Sequence, residues 1–303
     1  TDLNNIGLAW YALGNAEKAI SYYEQALSID KAVYGDRHPS VATDLNNIGL
    51  AWYAQGNAEK AISYYEQALS IVKAVYGDRH PDVARDLNNI GLAWYALGDA
   101  EKAISYYEQA LSIDKAVYGD RHPDVAIDLN NIGGAWYALG NAKKAISYYE
   151  QALSIDKAVY GDRHPSVARD LNNIGSAWYA LGDAKKAISY YEQALSINKA
   201  VYGDRHPSVA TMLNNIGSAW YALGDAKKAI TYYEQALSID KAVYGDRHPG
   251  VARDLNNIGG AWYALGDSQR AKECFQQAYD IFREFYGDEH PHTRTVKAWL
   301  NQV

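Results

Sequence analysis

The stretch Leu45-Asn46-Asn47-Ile48-Gly49-Leu50-Ala51-Trp52-Tyr53-Ala54-Gln55-Gly56 decides the fold, because it is not unique in the chain. Its first five residues return from Leu3, Leu87, Leu129, Leu171, Leu213 and Leu255, always 42 residues apart. Seven of the 8 Trp share one phase, from Trp10 and Trp52 to Trp262, and all 7 Pro share another, from Pro39 to Pro291. The 303 residues therefore hold seven copies of one unit. A fixed period in the range of about 20–50 residues is the mark of a repeat array and excludes a two-domain globular enzyme.

Within a copy, Val41, Leu45, Ile48 and Trp52 are spaced by four, three and four residues, which places them on one face of a helix. Pro39 follows the loop Gly35-Asp36-Arg37-His38, and its fixed φ suits the first helical position. Gly56 stops this helix and Asn57 can cap the next, a part that Asp99, Asp183, Asp225 and Asp267 take in other copies. The second helix carries an apolar stripe of Ala61, Ile62, Tyr65, Ala68, Leu69 and Val75, and Gly77 ends it. Each copy thus predicts a helix of about 17 residues, a tight turn and a helix of about 19. Gly49 and Ala51 beside Trp52, and Ala61 and Ala68 around Tyr65, let helix axes approach while aromatics fill the gaps. One hairpin cannot hide both stripes, so the copies must stack. The expected fold is an all-α solenoid of seven helix–turn–helix repeats with a final fifteenth helix.

Composition narrows the function. Hydrophobic residues make up 48 % of the chain, an ordinary share for a folded protein, with no apolar run near the roughly 18 residues of a membrane span. The start, Thr1-Asp2-Leu3, shows no signal region. A net charge of -7 argues against general nucleic-acid binding. Cys274 is the single cysteine, so no intramolecular disulfide can form, and a reducing, cytoplasmic setting is expected.

The ends depart from the period. Residues 1–290 read as the array, and residues 291–303, with Ala298-Trp299 where the other copies have two Asn, read as a C-terminal capping helix. The first copy begins with Thr1 in the phase of Thr43, without the His-Pro start. That end is expected either to continue in a longer protein, to fray, or to pair with another molecule.

The pattern Leu45-x-x-Ile48-Gly49-x-x-Trp52-x-x-x-Gly56, followed by Ala61-x-x-x-Tyr65-x-x-Ala68, resembles the tetratricopeptide repeat. That repeat has about 34 residues. Here Lys73 stands where its closing Pro would be, and the second helix continues through Ala74-Val75-Tyr76. The added length and the Gly-Asp-Arg-His-Pro loop are similar to the kinesin-light-chain-like class of 42-residue repeats. The resemblance implies a right-handed superhelix whose first helices line a concave face and bind extended peptide segments of other proteins. It also implies that Asn side chains of the first helix hold the ligand backbone. The second Asn of each copy, Asn5, Asn47, Asn89, Asn131, Asn173, Asn215 and Asn257, falls at that position.

The residues themselves point to the same face. Positions 43, 46, 50 and 53 form a polar or mixed stripe beside the core stripe, and the copies differ chiefly along it. The phase of Thr43 runs Thr1, Thr43, Arg85, Ile127, Arg169, Thr211 and Arg253, and that of Leu50 runs Leu8, Leu50, Leu92, Gly134, Ser176, Ser218 and Gly260. Near-identical copies that vary along one face suggest that this face meets something that does not repeat. A carboxamide both donates and accepts, so it can bridge a peptide N–H and C=O whatever the ligand's side chains are. Asn46, Asn88, Asn130, Asn172 and Asn214, the first Asn of their copies, are weaker candidates, with bonding between neighbouring helices as the alternative. Tyr53, Tyr95, Tyr137 and Tyr179 are candidates for stacking on a ligand. Arg85, Arg169 and Arg253 recur in every second copy and could select acidic residues, unless the adjacent Asp86, Asp170 and Asp254 hold them.

Other features read as structural. One His per copy in Asp36-Arg37-His38 leaves successive imidazoles too far apart to share a metal, whose ligands lie about 2–2.3 Å from it. His290 and His292 are the one close pair. There is no phosphate loop and no nucleophile elbow. The expectation is a non-catalytic scaffold for protein or peptide ligands, acidic ones among them, with no cofactor, metal, nucleic acid or membrane. Self-association through the uncapped N-terminal end, and a sensor region in a larger signalling protein, are the alternatives.

Overall fold

A computed structural model describes residues 2–303, in which fifteen helices follow one another without a strand. Thr1 lies outside the described residues. The chain forms two compact units, Thr1–Val159 and Tyr160–Val303. The first contains α1 (Asp2–Ala12), α2 (Ala16–Tyr34), α3 (Pro39–Ala54), α4 (Ala58–Tyr76), α5 (Pro81–Ala96), α6 (Ala100–Tyr118), α7 (Pro123–Ala138) and nearly all of α8 (Ala142–Tyr160). The second contains α9 (Pro165–Ala180), α10 (Ala184–Tyr202), α11 (Pro207–Ala222), α12 (Ala226–Tyr244), α13 (Pro249–Ala264), α14 (Ser268–Tyr286) and α15 (Pro291–Leu300).

The boundaries follow from local chemistry. Pro81 opens α5, and the imidazole of His80 caps it, Nδ1 accepting from the Asp82 N–H at 3.2 Å. His80 is held in place by stacking on Tyr76, the ring centroids 4.3 Å apart. The repeated histidine is therefore a helix cap. Gly56, at φ +78°, turns the chain after α3, and the Asn57 carboxamide then accepts from the Lys60 N–H at the start of α4. The first helices from α3 to α13 have 16 residues and the second helices 19, one fewer and as many as the spacing predicts, and α1 has 11.

Within the first unit, packing continues from one hairpin to the next. Val41, Ala42 and Leu45 of α3, Ala68 and Val72 of α4 and Val83, Ala84 and Leu87 of α5 share one buried cluster. Tyr65 of α4 lies with Ile90 and Ala93 of α5 in another. Val75, assigned to the second-helix stripe from its spacing, is exposed, and Val72 is buried instead. The stripe ends one turn before the helix does, because the last turn leads into the loop. A Lys or Arg side chain covers the half-buried tryptophan of each repeat, as Lys102 Nζ does 3.8 Å above Trp94. In the second unit α15 closes over α14: Val296, Trp299 and Leu300 pack on Phe275 and Phe282.

One core feature breaks the apolar pattern. Asp44, Asp86, Asp128, Asp170 and Asp254, each directly before the Leu of its first helix, are fully buried. Met212 takes the position in the sixth repeat.

Candidate functional site

Neighbouring first helices approach one another directly, α3 with α5 and α5 with α7 in the first unit, α9 with α11 and α11 with α13 in the second. Each unit thus presents a wall of first helices. Between α5 and α7 the wall opens into a cavity of about 410 Å³ that reaches Arg85, Asn89, Leu92, Asp114, Ile127 and Asn131. Its lining brings together the phases of Thr43, Asn47 and Leu50. In the second unit, cavities of about 200 Å³ beside Arg169 and about 380 Å³ beside Arg253 occur at the same phase.

The two asparagines of each repeat have different surroundings. The first is tied into the array. Asn4 Nδ2 donates to Asp44 Oδ1 at 2.6 Å, Asn88 Nδ2 to Asp128 Oδ1, and Asn214 Nδ2 to Asp254 Oδ1 at 2.7 Å, each reaching the next repeat. Asn130 is buried and donates to the Ala126 carbonyl at 3.3 Å. Asn46 and Asn172 accept from Asn89 and Asn215 of the following repeats, at 2.8 Å each, and Asn214 accepts from Asn257 at 3.3 Å. Bonds between neighbouring first helices are thus seen for Asn4, Asn46, Asn88, Asn172 and Asn214, and in Asn4, Asn88 and Asn214 the amide supplies the donor that a buried aspartate of the next repeat demands.

The second asparagines lie nearer the surface. Asn5 is exposed on α1, and Asn47, Asn89, Asn131, Asn173, Asn215 and Asn257 are half-buried on α3, α5, α7, α9, α11 and α13. Asn47 and Asn131 have no side-chain partner, so their amides are open. Tyr95, Tyr137 and Tyr179 are exposed, whereas Tyr53 is half-buried and packs beside the Tyr65 cluster.

The arginines already have counter-charges. Arg85 Nη1 lies 2.6 Å from Asp82 Oδ1, and its Nη2 lies 3.0 Å from Asp86 Oδ1. Arg169 meets Asp170 at 3.0 Å. Arg253 Nη2 bridges Asp240 Oδ2 at 3.1 Å and Asp254 Oδ1 at 3.0 Å. An acidic ligand would have to displace these carboxylates. Burial pushes Asp44, Asp86 and Asp254 up to about 6. It pushes Asp128, which faces Asp114 and has Ile127 in place of an arginine beside it, up to about 8.

Two contributors were not legible beforehand. One is the buried aspartate. The other is the second-helix tyrosine, whose hydroxyl reaches the Leu50 phase: Tyr191 and Tyr233 donate to Ser176 and Ser218 at 3.2 and 3.1 Å. Serine in a position otherwise held by Leu or Gly was the available signal. Cys274 is half-buried, its thiol pushed up to about 11 by burial. No cluster of three His, Cys, Asp or Glu side chains able to hold a metal occurs among the described residues. Among the described residues no helix is long and apolar enough to cross a membrane.

In each unit, like hairpins side by side with their first helices in a row define a helical repeat protein. The chain belongs to the tetratricopeptide repeat family, whose profile matches residues 3–71, 45–116, 87–158, 129–200, 171–242 and 208–284. Among solved structures it is similar to BtubC (BKLC) from P. vanneervenii, with 24 % identity, TM-score 0.66, and 77 % of this chain and 94 % of that one covered. It is similar to a Podosopora anserina protein described as a kinesin light chain with nearly identical TPR-like repeats, with 23 % identity, TM-score 0.60 and coverage of 68 % and 98 %. The apo form of RapI shares the fold at 16 % identity and TM-score 0.69, with 93 % and 97 % covered. A comparison with curated protein sequences found no match. Proteins of this family generally act as protein-interaction scaffolds.

Proposed function

We propose that the array is a non-catalytic scaffold that binds an extended segment of another protein along the wall of first helices. The observation that carries this reading is the cavity between α5 and α7, where the open amide of Asn131 lies beside the exposed apolar side chains of Leu92 and Ile127. Amides grip a backbone irrespective of sequence, and the variable side chains select. Asn5, Asn47, Asn89, Asn131, Asn173, Asn215 and Asn257 are the backbone-holding residues in this reading. Tyr95, Tyr137 and Tyr179 flank the ligand. Asn46, Asn88, Asn130, Asn172 and Asn214 hold the array together instead. Arg85, Arg169 and Arg253 would attract an acidic ligand only by exchanging their own aspartates. Residues 291–303 serve as the cap, supported by the packing of Trp299 and Leu300 on α14. A cytoplasmic setting belongs to this reading, with the single cysteine as its support.

The test is selection from a random library of extended peptides, followed by titration of the best ligand against the chain and against a variant with all seven second asparagines changed to Ala. A loss of affinity of about tenfold or more, with helicity retained, is expected. Undiminished affinity, or no selectable ligand, would refute the reading. Self-association has one observation in its favour, the exposure of Ile6, Leu8 and Ile29 on α1 and α2. Light scattering against concentration separates it from peptide binding.

A further inference from the structure

The chain contains its own comparison for the cavity between α5 and α7. Asp114 of α6 and Asp128 of α7 occupy the phases of Asp240 of α12 and Asp254 of α13. In the later pair, one guanidinium, that of Arg253, lies 3.1 Å from Asp240 Oδ2 and 3.0 Å from Asp254 Oδ1. In the earlier pair the residue at that phase is Ile127. Asp114 and Asp128 are 4 % and 0 % exposed and have no cation between them. Asp128 Oδ1 accepts from Asn88, and the Asp128 and Asp114 carboxyls share a hydrogen bond that needs a proton held between them. The cavity of about 410 Å³ opens where the guanidinium is missing, with Asp114, Leu92 and Ile127 in its lining.

The remaining charges leave this cavity negative. Arg85 of α5 is committed to Asp82 and Asp86. Asp124 of α7 also lines the cavity, with the His122 imidazole 3.4 Å from it. Two buried carboxyl groups face to face are costly to ionise without a counter-charge, and a planar guanidinium with fork-like donors is the group that satisfies both.

We propose that the cavity between α5 and α7 seats an arginine side chain of the bound peptide, its guanidinium bridging Asp114 and Asp128 and its methylene stem lying on Leu92 and Ile127. The proposal rests on the scaffold reading and names the ligand chemistry at one of its positions. It reverses the acidic preference suggested by the arginines of the wall, because those arginines are internally paired. It also makes binding dependent on pH: the pair must give up its protons to the bulk as the cation arrives. Burial holds Asp114 up at about 6 and Asp128 at about 8, so affinity rises as pH increases across that interval.

The experiment uses the full chain and three capped pentapeptides, alanine except for a central arginine, leucine or glutamate. Binding is read from the methyl NMR signals of Ile127 and Leu92. The arginine peptide is expected to shift both signals and to bind at least about tenfold tighter than the other two, more tightly at pH 8 than at pH 6. Ile127→Arg, which supplies the cation from within as Arg253 does, is expected to abolish this preference. Asp114→Asn is expected to weaken it about tenfold. Both side chains already occur at these phases, as Arg253 and Asn198, so the variants are compatible with the fold. Equal binding of the three peptides, or full arginine binding by Ile127→Arg, would overturn the proposal and leave the scaffold reading standing. Arginine-specific shifts at Ile127, with no library peptide dependent on the second asparagines, would support the seat and refute the wider groove.

Discussion

The ring of Tyr107 lies against the bare Cα of Gly91, so close that a methyl group there would come within 2.6 Å of Cε1 and 2.7 Å of Cδ1. The same approach joins Gly49 to Tyr65, Gly133 to Tyr149 and Gly217 to Tyr233. This contact fixes the spacing of the two helices of a repeat. Gly91→Ala should therefore destabilise the chain by about 1–3 kcal/mol, the usual cost of overpacking. Urea unfolding followed by circular dichroism checks it, and an unchanged midpoint would show that the helices separate freely.

The cover on the tryptophans is a second, weaker link. Lys102 Nζ sits 3.8 Å above the Trp94 ring and 3.1 Å from Asp99 Oδ2. Its side chain is half-exposed, so the interaction is screened by solvent and salt. Lys102→Met should cost about 0.5–1 kcal/mol. Changing all six lysines in this phase should make the tryptophan emission more sensitive to an ionic quencher. Quenching that stays as in the parent chain would argue that the lysines do not cover the rings.

The buried aspartates give the stability a definite pH dependence. Their folded values, about 6 for Asp44, Asp86 and Asp254 and about 8 for Asp128, exceed the usual value near 3.8. The folded chain thus holds more protons than the unfolded chain between these limits, and unfolding free energy falls as pH rises. This contribution is complete below about pH 4 and is lost as pH climbs through 6 and then 8. Asp128 faces Asn88 of α5, Asp114 of α6 and Asp124 of its own helix. Asp128→Asn should remove its share, on the order of 4 kcal/mol between pH 5 and 8, with the Asn88 contact retained. Thermal melts of both chains across that interval, compared as a difference, test the sign. A parent chain that gains stability relative to the variant as pH rises would contradict it.

The period made the helices legible, because one stripe repeated seven times leaves little room for another fold. The end of each helix was equally open to reading, since His38-Pro39 and Gly56-Asn57 act through their own backbone. The wall of first helices followed from the way copies differ at Thr43 and Leu50. Burial of Asp44 was hidden, because an aspartate next to Leu45 on a helix looks like a solvated residue. Only the adjoining repeat, with Asp30 approaching from α2 and Asn4 from α1, turns that position inward. The different environments of Asn46 and Asn47 were hidden for the same reason, as adjacent side chains on one helix differ only in what the next repeat offers them.

That difference between adjacent amides can be measured. Asn214 donates to Asp254 at 2.7 Å and to the Ala210 carbonyl at 3.2 Å, and accepts from Asn257 at 3.3 Å. Asn214→Ala leaves a buried carboxyl without its amide donor and should cost about 1–3 kcal/mol. Asn131 has no side-chain partner, so Asn131→Ala should stay within about 0.5 kcal/mol of the parent while weakening a bound peptide. Urea unfolding of both variants, paired with titration of a selected peptide, separates the roles. If Asn131→Ala destabilised the chain as much as Asn214→Ala, both amides would be structural, and the wall would lose its claim to a ligand backbone.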